Sequence, residues 1–392
     1  MKKTIQEAVT AHQEGRLQEA EHLYRSILKD DPNNLNVYNN LGVLLQSLNR
    51  FEEAIDCSKK AINLKPDYTE AHYNLGISLE KLNKFEEAEK IYRKALDLKP
   101  DYAEAYNNLG NTLHKLSRFN EAILSYKKAL EFKPDYVDVY NNLGNIQKKL
   151  NRTDEAIKSY KKALKIKPDY LEVKHMLAAL MGETVNAPTA PREYVQNLFD
   201  EYASYFEDSL INKLEYKTPK IIVDMIVSKN LNISLGSILD LGCGTGLIGK
   251  EIRKFCKKLE GIDLSSLMLE QAKNKDIYDK LAHRDIVDYL STEKLDFDYF
   301  ISADVFIYVG DLNEVFRLIK SRNNSKGKFV FSTEHTDKDG FILEKTGRYS
   351  HSKMYIESLC KKFDYKLSYF EKINLRKDDM EFLEGGLYLL DF

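Results

Sequence analysis

The first half of the chain repeats itself with a period of 34 residues. Proline occurs at positions 32, 66, 100, 134 and 168, and a Leu-Gly pair recurs with the same spacing, at Leu41-Gly42, Leu75-Gly76, Leu109-Gly110 and Leu143-Gly144. A period of this length indicates a unit of two short helices. Each helix pair leaves one apolar face uncovered, so consecutive pairs must stack into a superhelix.

Five repeats are predicted, at residues 1–34, 35–68, 69–102, 103–136 and 137–170. The first departs from the pattern at Glu7 and Ala8, and the segment LEVKHMLAALMG begins a sixth unit, so we expect these two segments to cap an array that ends at residue 182. The stretch AEAYNNLGNTLHKLSRFNEAILSYKKALEFKPDY carries its small, aromatic and proline positions in an order that resembles tetratricopeptide repeats. This resemblance implies an all-α superhelix that binds a peptide or a protein.

One asparagine recurs at the same position of four repeats, as Asn40, Asn74, Asn108 and Asn142. An asparagine side chain offers two N–H donors and a carbonyl acceptor, so a row of them along the inner groove can pair with the backbone of an extended peptide. In this respect the array resembles that of O-linked N-acetylglucosamine transferase. A second interpretation is that these asparagines stabilise the scaffold.

Charge and cysteine content exclude several kinds of partner. The 59 basic and 61 acidic residues nearly balance, which gives no reason to expect a nucleic acid or an anionic membrane. The chain has no apolar run of about 20 residues, and its first residues are too polar for a signal peptide, so we expect a cytoplasmic protein. Its four cysteines are scattered, which argues against a structural metal site and a disulfide framework.

The second half, residues 183–392, alternates short apolar runs with helical segments. SILDLG, KLEGIDL, DYFISADVF and KFVFSTE read as strands separated by helices, and KLSYFEKI and GLYLLDF follow without a helix between them. This order predicts a mostly parallel, Rossmann-like sheet of seven strands that ends in an antiparallel edge hairpin. The aromatic segment at about 191–219 is predicted to form one or two amphipathic helices.

The stretch LDLGCGTG, at residues 239–246, joins the first strand of this sheet to a helix. Glycines here let the chain turn sharply and let a ligand approach the backbone. A dinucleotide site favours G-x-G-x-x-G, but Leu247 occupies the sixth position, and Asp240 would repel a pyrophosphate. S-adenosylmethionine is cationic and has no phosphate, so a nearby carboxylate would favour it.

LDLGCGTG resembles the first motif of class I S-adenosylmethionine-dependent methyltransferases. By this resemblance Asp263, in LEGIDLS, accepts both ribose hydroxyls, and Asp285, in AHRDIVDYL, reaches the adenine amino group. Further segments resemble a bacterial group of predicted methyltransferases that carry tetratricopeptide repeats. By this resemblance the aromatic segment at about 191–219 covers the cofactor as a lid, with Tyr194, Tyr202 and Tyr205 as candidates; the alternative is that these are core aromatics. The candidate cofactor-binding residues are Asp240, Gly242, Cys243, Gly244, Gly246, Asp263, Leu264, Asp285, Ile286, Ala303, Tyr194 and Tyr205.

Candidate catalytic groups follow the fourth and fifth strands, where a base for an unidentified methyl acceptor should lie. They are Asp304, Tyr308, His335 and His351. His335 is the preferred base, with Glu334 or Asp304 to orient it, although an acceptor that is already nucleophilic would need no base. The acceptor atom is an oxygen or a nitrogen, or a carbon. In the alternative hypothesis, the chain is a scaffold whose second half binds S-adenosylmethionine without catalysis.

Overall fold

The structure is a computed structural model that describes residues 4–184, 188–229, 234–378 and 381–392. Residues 1–3 of the first predicted repeat and residues 185–187 of the predicted linker lie outside this range. The chain divides into two compact units, Met1–Pro168 and Asp169–Phe392. No helix in the described ranges is long and apolar enough to cross a membrane.

The first unit consists of antiparallel helix pairs, one pair for each 34-residue repeat. Every pair is joined by a tight turn and followed by the repeated proline. The helices are α1 (Ile5–Gln13), α2 (Leu17–Asp30), α3 (Leu35–Ser47), α4 (Phe51–Leu64), α5 (Thr69–Lys81), α6 (Phe85–Leu98), α7 (Ala103–Lys115), α8 (Phe119–Phe132), α9 (Val137–Lys149) and α10 (Thr153–Ile166). The predicted all-α tetratricopeptide superhelix is therefore confirmed.

The repeated glycine is required because an aromatic ring lies against it. In α7, a Cβ atom on Gly110 would lie 2.4 Å from Cε1 of the Tyr126 ring in α8, and Gly76 and Gly144 face Tyr92 and Tyr160 in the same way, at 2.5 Å. These tyrosines are fully buried, so their rings fill the space that the glycines leave. The second repeat differs, because there a Cβ on Gly42 would meet the Cys57 Cβ at 3.6 Å, an ordinary contact.

The helix predicted to cap the array groups with the second unit. This helix, α11 (Leu171–Met181), ends at Gly182, which adopts a left-handed conformation with φ +71°. Its Ala178 and Ala179 pack in one apolar cluster with residues of the second unit. The compact units meet after residue 168, so α11 belongs to the second unit, while the end of the repeat array at residue 182 stays a prediction.

The second unit is a central sheet with helices packed on both faces. Its helix at Arg192–Tyr202 is followed by a 3₁₀ turn (Ala203–Tyr205) and a π-helix (Asp208–Lys213). After α11, the α-helices of this unit are α12 (Arg192–Tyr202), α13 (Thr218–Ser228), α14 (Leu247–Ile252), α15 (Ser266–Asn274), α16 (Ile286–Thr292), α17 (Asn313–Arg322) and α18 (Lys353–Phe363). The strands are β1 (Ser237–Leu241), β2 (Lys258–Asp263), β3 (Lys280–His283), β4 (Tyr299–Ser302), β5 (Lys328–His335), β6 (Phe341–Leu343), β7 (Tyr349–His351), β8 (Lys366–Asp378) and β9 (Glu381–Asp391).

Strands β3, β2, β1, β4 and β5 are parallel and adjacent in that order. Strand β9 pairs antiparallel with β5, and β8 pairs antiparallel with β9. The predicted mostly parallel sheet with an antiparallel hairpin at its edge is confirmed. Alternation along the strands builds two cores: Leu239 and Phe300 face one cluster, and Ile238 and Ile301 face the other.

The described residues contain nine strands, two more than predicted, because β6 and β7 form an additional antiparallel hairpin. Glu334 of β5 pairs with Gly385 of β9 along one edge and with Ser350 of β7 along the other. Strand β7 lies on the same edge of β5 as β4, which pairs with the first half of β5. The hairpin therefore continues the sheet beyond the C-terminal end of β4.

We predict that Gly110→Ala lowers the free energy of unfolding by about 1–3 kcal/mol, because the new methyl group overlaps the Tyr126 ring in a packed core. Gly42→Ala is the matched control, since it occupies the same repeat position without a facing ring. Its expected effect is zero or stabilising by up to ~1 kcal/mol, from the higher helix propensity of alanine. Urea unfolding of the two variants, followed by circular dichroism, measures the difference, and equal shifts in the two would contradict this packing.

Candidate functional site

A cavity of about 810 Å³ opens at the C-terminal ends of the parallel strands. Strand β1 lies between β2 and β4, so the connections from β1 and β4 leave on opposite sides and open a crevice there. The lining includes Gly242 after β1, Asp263 at the end of β2, Asp285 after β3 and Ala303 after β4. Parallel pairing thus collects residues that are far apart in sequence at one edge of the sheet.

The glycine-rich turn after β1 has the geometry that only glycine adopts easily. Gly242 has φ +73°, and a Cβ on it would lie 2.4 Å from Val305 Cγ2. Gly244, with φ +53°, lines the cavity through its bare backbone. Gly246, with φ +91°, immediately precedes α14. The turn therefore needs positive φ, and it leaves backbone exposed to a ligand.

Asp263 connects this turn to the end of β2. Its Oδ2 accepts a hydrogen bond of 2.8 Å from the Gly244 N–H, and its Oδ1 accepts one of 2.8 Å from the Ser265 N–H. A carboxylate has about four acceptor positions, so both oxygens can accept further hydrogen bonds. Burial raises the pKa of this carboxyl group above its ordinary value.

Asp285 caps a helix and also lines the cavity. Its Oδ1 accepts hydrogen bonds from the N–H groups of Val287 (2.9 Å) and Asp288 (3.2 Å) at the start of α16, and from Arg192 (3.0 Å). The predicted neighbours Leu264 and Ile286 line the cavity as well. Two apolar side chains and a carboxylate thus lie together at this edge of the cavity, a combination that suits a heterocycle with an amino group.

The aromatic segment from α12 to the π-helix covers the same cavity. Tyr194 and Tyr202 line it, whereas Tyr205 does not and is 41% exposed. Polar contacts attach the segment to the sheet domain: Asp200 accepts a hydrogen bond from Ser265, and Glu207 pairs with Lys275. The Tyr205 ring turns toward Tyr202 and the surface, and the lid role of the segment stays a prediction.

Three more of the predicted cofactor residues lie outside the residues that line the cavity: Asp240 at the end of β1, and Cys243 and Gly246 in the turn itself. Asp240 is buried and accepts a 2.7 Å hydrogen bond from the Tyr278 hydroxyl. Burial raises its pKa from 3.8 to about 7. Asp240, predicted as a nearby carboxylate that favours a cationic ligand, is directed into the protein toward Tyr278.

Both histidines predicted as bases lie outside the described cavity lining. His335 is adjacent to Glu334 on β5, and side chains alternate along a strand, so it points away from the cavity, toward Asp337 (3.1 Å) and Phe370. His351 of β7 is fully buried, and its Nε2 lies 3.0 and 2.9 Å from the carbonyl oxygens of residues 309 and 310. His351 therefore joins the hairpin to the loop after β4, and neither ring is placed as a base.

The other end of the cavity carries a cluster of buried charges. Asp304, with φ +56°, accepts hydrogen bonds from Ser332 Oγ (2.8 Å) and from Arg376 (2.7 Å). Arg376 also donates to Glu334 (2.8 Å), which accepts in addition from Arg348 Nε (2.7 Å). Asp304, Arg348 and Arg376 line the cavity, as the predicted residue Tyr308 does. Burial raises the pKa of Tyr308 to about 12, so its hydroxyl is a donor at neutral pH.

Arg376 is the residue that the sequence did not indicate. It lies on β8, 72 residues after Asp304, and reaches the cavity only because β8 pairs with β9 and β9 with β5. A signal for it would have required the register of the edge hairpin.

In the first unit, three of the recurring asparagines donate hydrogen bonds to side chains of the preceding repeat. Asn74 Nδ2 donates to Asn39 Oδ1 (2.8 Å), Asn108 Nδ2 donates to the Tyr73 hydroxyl (3.1 Å), and Asn142 Nδ2 donates to Asn107 Oδ1 (3.2 Å). Each bond spans 35 residues and so joins a repeat to the preceding one. Asn40 holds the equivalent position in α3. These contacts favour the scaffold interpretation of the asparagines.

The second unit is thus an α/β domain of the doubly wound class, with its cavity at the point where strand order reverses. The family model described as "Methyltransferase domain" matches residues 234–385. Models described as "Tetratricopeptide repeat" match residues 11–57, 35–101, 91–123 and 137–170, and one described as "TPR repeat" matches residues 110–151. The chain therefore combines tetratricopeptide repeats with a methyltransferase domain.

Solved structures similar to this chain include repeat proteins. "Crystal structure of MamA" is 28% identical over 41% of this chain and 94% of that one, with a TM-score of 0.39. "Crystal structure of YrrB: a TPR protein with an unusual peptide-binding site" is 24% identical over 44% and 88%, with a TM-score of 0.39. A thermophilic TPR protein from Thermus thermophilus is 22% identical over 45% and 96%, with a TM-score of 0.38. A comparison with curated proteins gives no match.

The buried position of His351 predicts a pH-dependent stability. Burial lowers its pKa from 6.5 to about 4. The native state therefore keeps this ring neutral while the unfolded chain protonates it, and the ring lowers the free energy of unfolding as pH falls from about 6.5 to about 4. In His351→Gln, whose amide can still donate to the two carbonyl groups, this contribution is absent.

Urea unfolding at several pH values between 4 and 7 measures the difference between wild type and His351→Gln, and we expect the wild type to lose more stability on acidification. His283→Gln, at an exposed histidine of the same domain, is the matched control and should behave as the wild type does. Parallel pH profiles for His351→Gln and wild type would show that the buried ring does not have this role.

Proposed function

We propose that the chain is an S-adenosylmethionine-dependent methyltransferase. The observation that carries this proposal is the carboxylate of Asp263, which lines the cavity beside the bare backbone of Gly244 and accepts from its N–H. Two ribose hydroxyls need a charged acceptor at the end of β2 and a backbone without side chains at the end of β1. The residues present fit both needs.

The rest of the cofactor fits the same edge of the cavity. Leu264 and Ile286 provide apolar walls for an adenine ring, and Asp285 retains its Oδ2 for the amino group. When bound, S-adenosylmethionine supplies an electrophilic methyl group. The chain's own part is to bind and orient the two substrates and to exclude water, which the half-buried aromatics of the covering segment do.

General base catalysis is not assigned to a histidine in this proposal. Tyr308 and Asp304 are the remaining candidates from the sequence. Burial raises the pKa of Tyr308 to about 12, which keeps its hydroxyl protonated, and both oxygens of Asp304 already accept hydrogen bonds, from Ser332 and Arg376. We therefore assign Asp304 to positioning and expect the acceptor to attack through an oxygen or nitrogen that needs no strong base.

We infer that the repeat array recruits a peptide or protein that is, or carries, the methyl acceptor. Tetratricopeptide superhelices present a long concave surface, and a helical array has no chemistry of its own. Transfer of labelled methyl groups to proteins in a lysate, by the full chain and by a chain that starts at residue 169, measures this. Recruitment predicts that the shorter chain still binds S-adenosylmethionine but labels less protein, and equal labelling would contradict it.

We predict that Asp263→Asn weakens binding of S-adenosylmethionine about 30-fold, or about 2 kcal/mol, because the ribose hydroxyls lose a charged acceptor. Asparagine keeps one acceptor oxygen for the turn, so the fold should survive. Isothermal titration calorimetry measures the affinity.

Asp224→Asn is the matched control for this variant, since Asp224 lies on the exposed surface of α13 and pairs with Lys220. Its affinity for S-adenosylmethionine should equal that of the wild type. Equal affinities in all three proteins would remove Asp263 from the site, and tight binding of NAD instead would overturn the proposed cofactor.

A further inference from the structure

The end of the cavity away from Asp285 is lined by two arginines, Arg348 immediately before β7 and Arg376 on β8. The side chain of Arg376 is 9% exposed and that of Arg348 is 21% exposed. Both are fixed by carboxylates: Arg376 by Asp304 and Glu334, and Arg348 by Glu334 and Asp378. Their positions in the cavity wall are therefore set before any ligand binds.

These arginines have more donors than their protein partners use. A guanidinium group has five N–H donors. Among the described residues, Arg376 makes hydrogen bonds through Nη1 and Nη2, and Arg348 through Nε and Nη2, two bonds each. Three N–H groups of each side chain remain, and Asp304, the carboxylate that lines this end of the cavity beside them, already accepts at both oxygens.

A surplus of buried donors needs acceptors from the ligand, because an unpaired polar group in a site without water is costly. Tyr308 and Tyr216 line the cavity too, and burial keeps both hydroxyls protonated by raising their pKa, so neither phenol supplies a negative charge for the arginines. The same wall includes apolar surface from Phe199 and Leu210. The ligand that fits combines an anionic acceptor group with an apolar body.

We propose that the methyl acceptor carries a carboxylate, which Arg376 and Arg348 bind. A planar carboxylate matches the fork of a guanidinium group and accepts several N–H bonds at once. The cavity volume of about 810 Å³ lies near the upper end of the usual range for a pocket, about 300–1,000 Å³, so the cofactor and a small organic acid fit together. This inference rests on the proposed function, since it names the acceptor of that same site.

The test uses the full chain saturated with S-adenosylhomocysteine and two matched sets of probes. One set is 3-phenylpropanoate, 3-phenylpropanamide and 3-phenylpropylamine, and the other is hexanoate, hexanamide and hexylamine. Isothermal titration calorimetry should show that a carboxylate binds at least about tenfold more tightly than its amide or its amine. A preference for the amine would assign this end of the cavity to Asp304 and overturn the proposal, as would equal affinities.

Variants at the two arginines identify the contact. Arg348→Gln and Arg376→Lys should each weaken carboxylate binding by about tenfold, since each removes part of the guanidinium fork. Lysine at position 376 retains a positive charge between Asp304 and Glu334, and Arg348→Gln changes the more exposed arginine. If one variant fails to fold, the other still tests the contact. Arg253→Gln, which loses an arginine paired with Asp279 on the surface, is the matched control and should bind the carboxylate as the wild type does.

The two proposals fail in different ways. If S-adenosylhomocysteine binds but no carboxylate does, or if both arginine variants retain full carboxylate affinity, the acceptor proposal is overturned. If S-adenosylhomocysteine itself does not bind, the proposed function fails first.

Discussion

The hydrogen bond from the Gly244 N–H to Asp263 is the contact on which the site depends. It fixes the turn after β1 to the end of β2 at 2.8 Å, so two segments 19 residues apart form one wall of the cavity. The turn can reach that position only because Gly242 and Gly244 have positive φ. Asp240 and Tyr278 support it from below, which explains why a buried carboxyl group is tolerated there.

A second set of contacts shapes the opposite wall. Glu334 of β5 binds Arg376 of β8 and Arg348 of the β6–β7 hairpin, so one carboxylate joins three parts of the chain. Removing one partner from such a buried pair costs about 3–5 kcal/mol, because the other charge is left uncompensated. The cluster therefore keeps the arginines in the cavity wall. One end of the cavity is thus formed by the loops after the parallel strands, and the other by the edge hairpin.

Features that depend on neighbouring residues were predicted from the sequence, and features that depend on contacts between distant residues were not. The strand and glycine pattern predicted β1 and the turn, because both depend on neighbouring residues, and the resemblance to the methyltransferase family implied the acid at the end of β2. It did not predict the β6–β7 hairpin, whose strands have three residues each and too short a pattern to recognise. Side chains alternate along β5, so Glu334 binds the arginines of the cavity wall while His335 points toward Asp337, which the residue pattern did not indicate. Arg376 depends on long-range strand register, which residue patterns do not contain.

The central claim is that the cavity between the glycine turn and Asp263 holds S-adenosylmethionine. A crystal structure of the full chain grown with S-adenosylhomocysteine tests it most directly. We expect both ribose hydroxyls within hydrogen-bonding distance of Asp263, and adenine between Leu264 and Ile286 with its amino group at Asp285. Electron density for the ligand at the arginine end, or anywhere away from Asp263, would contradict the claim.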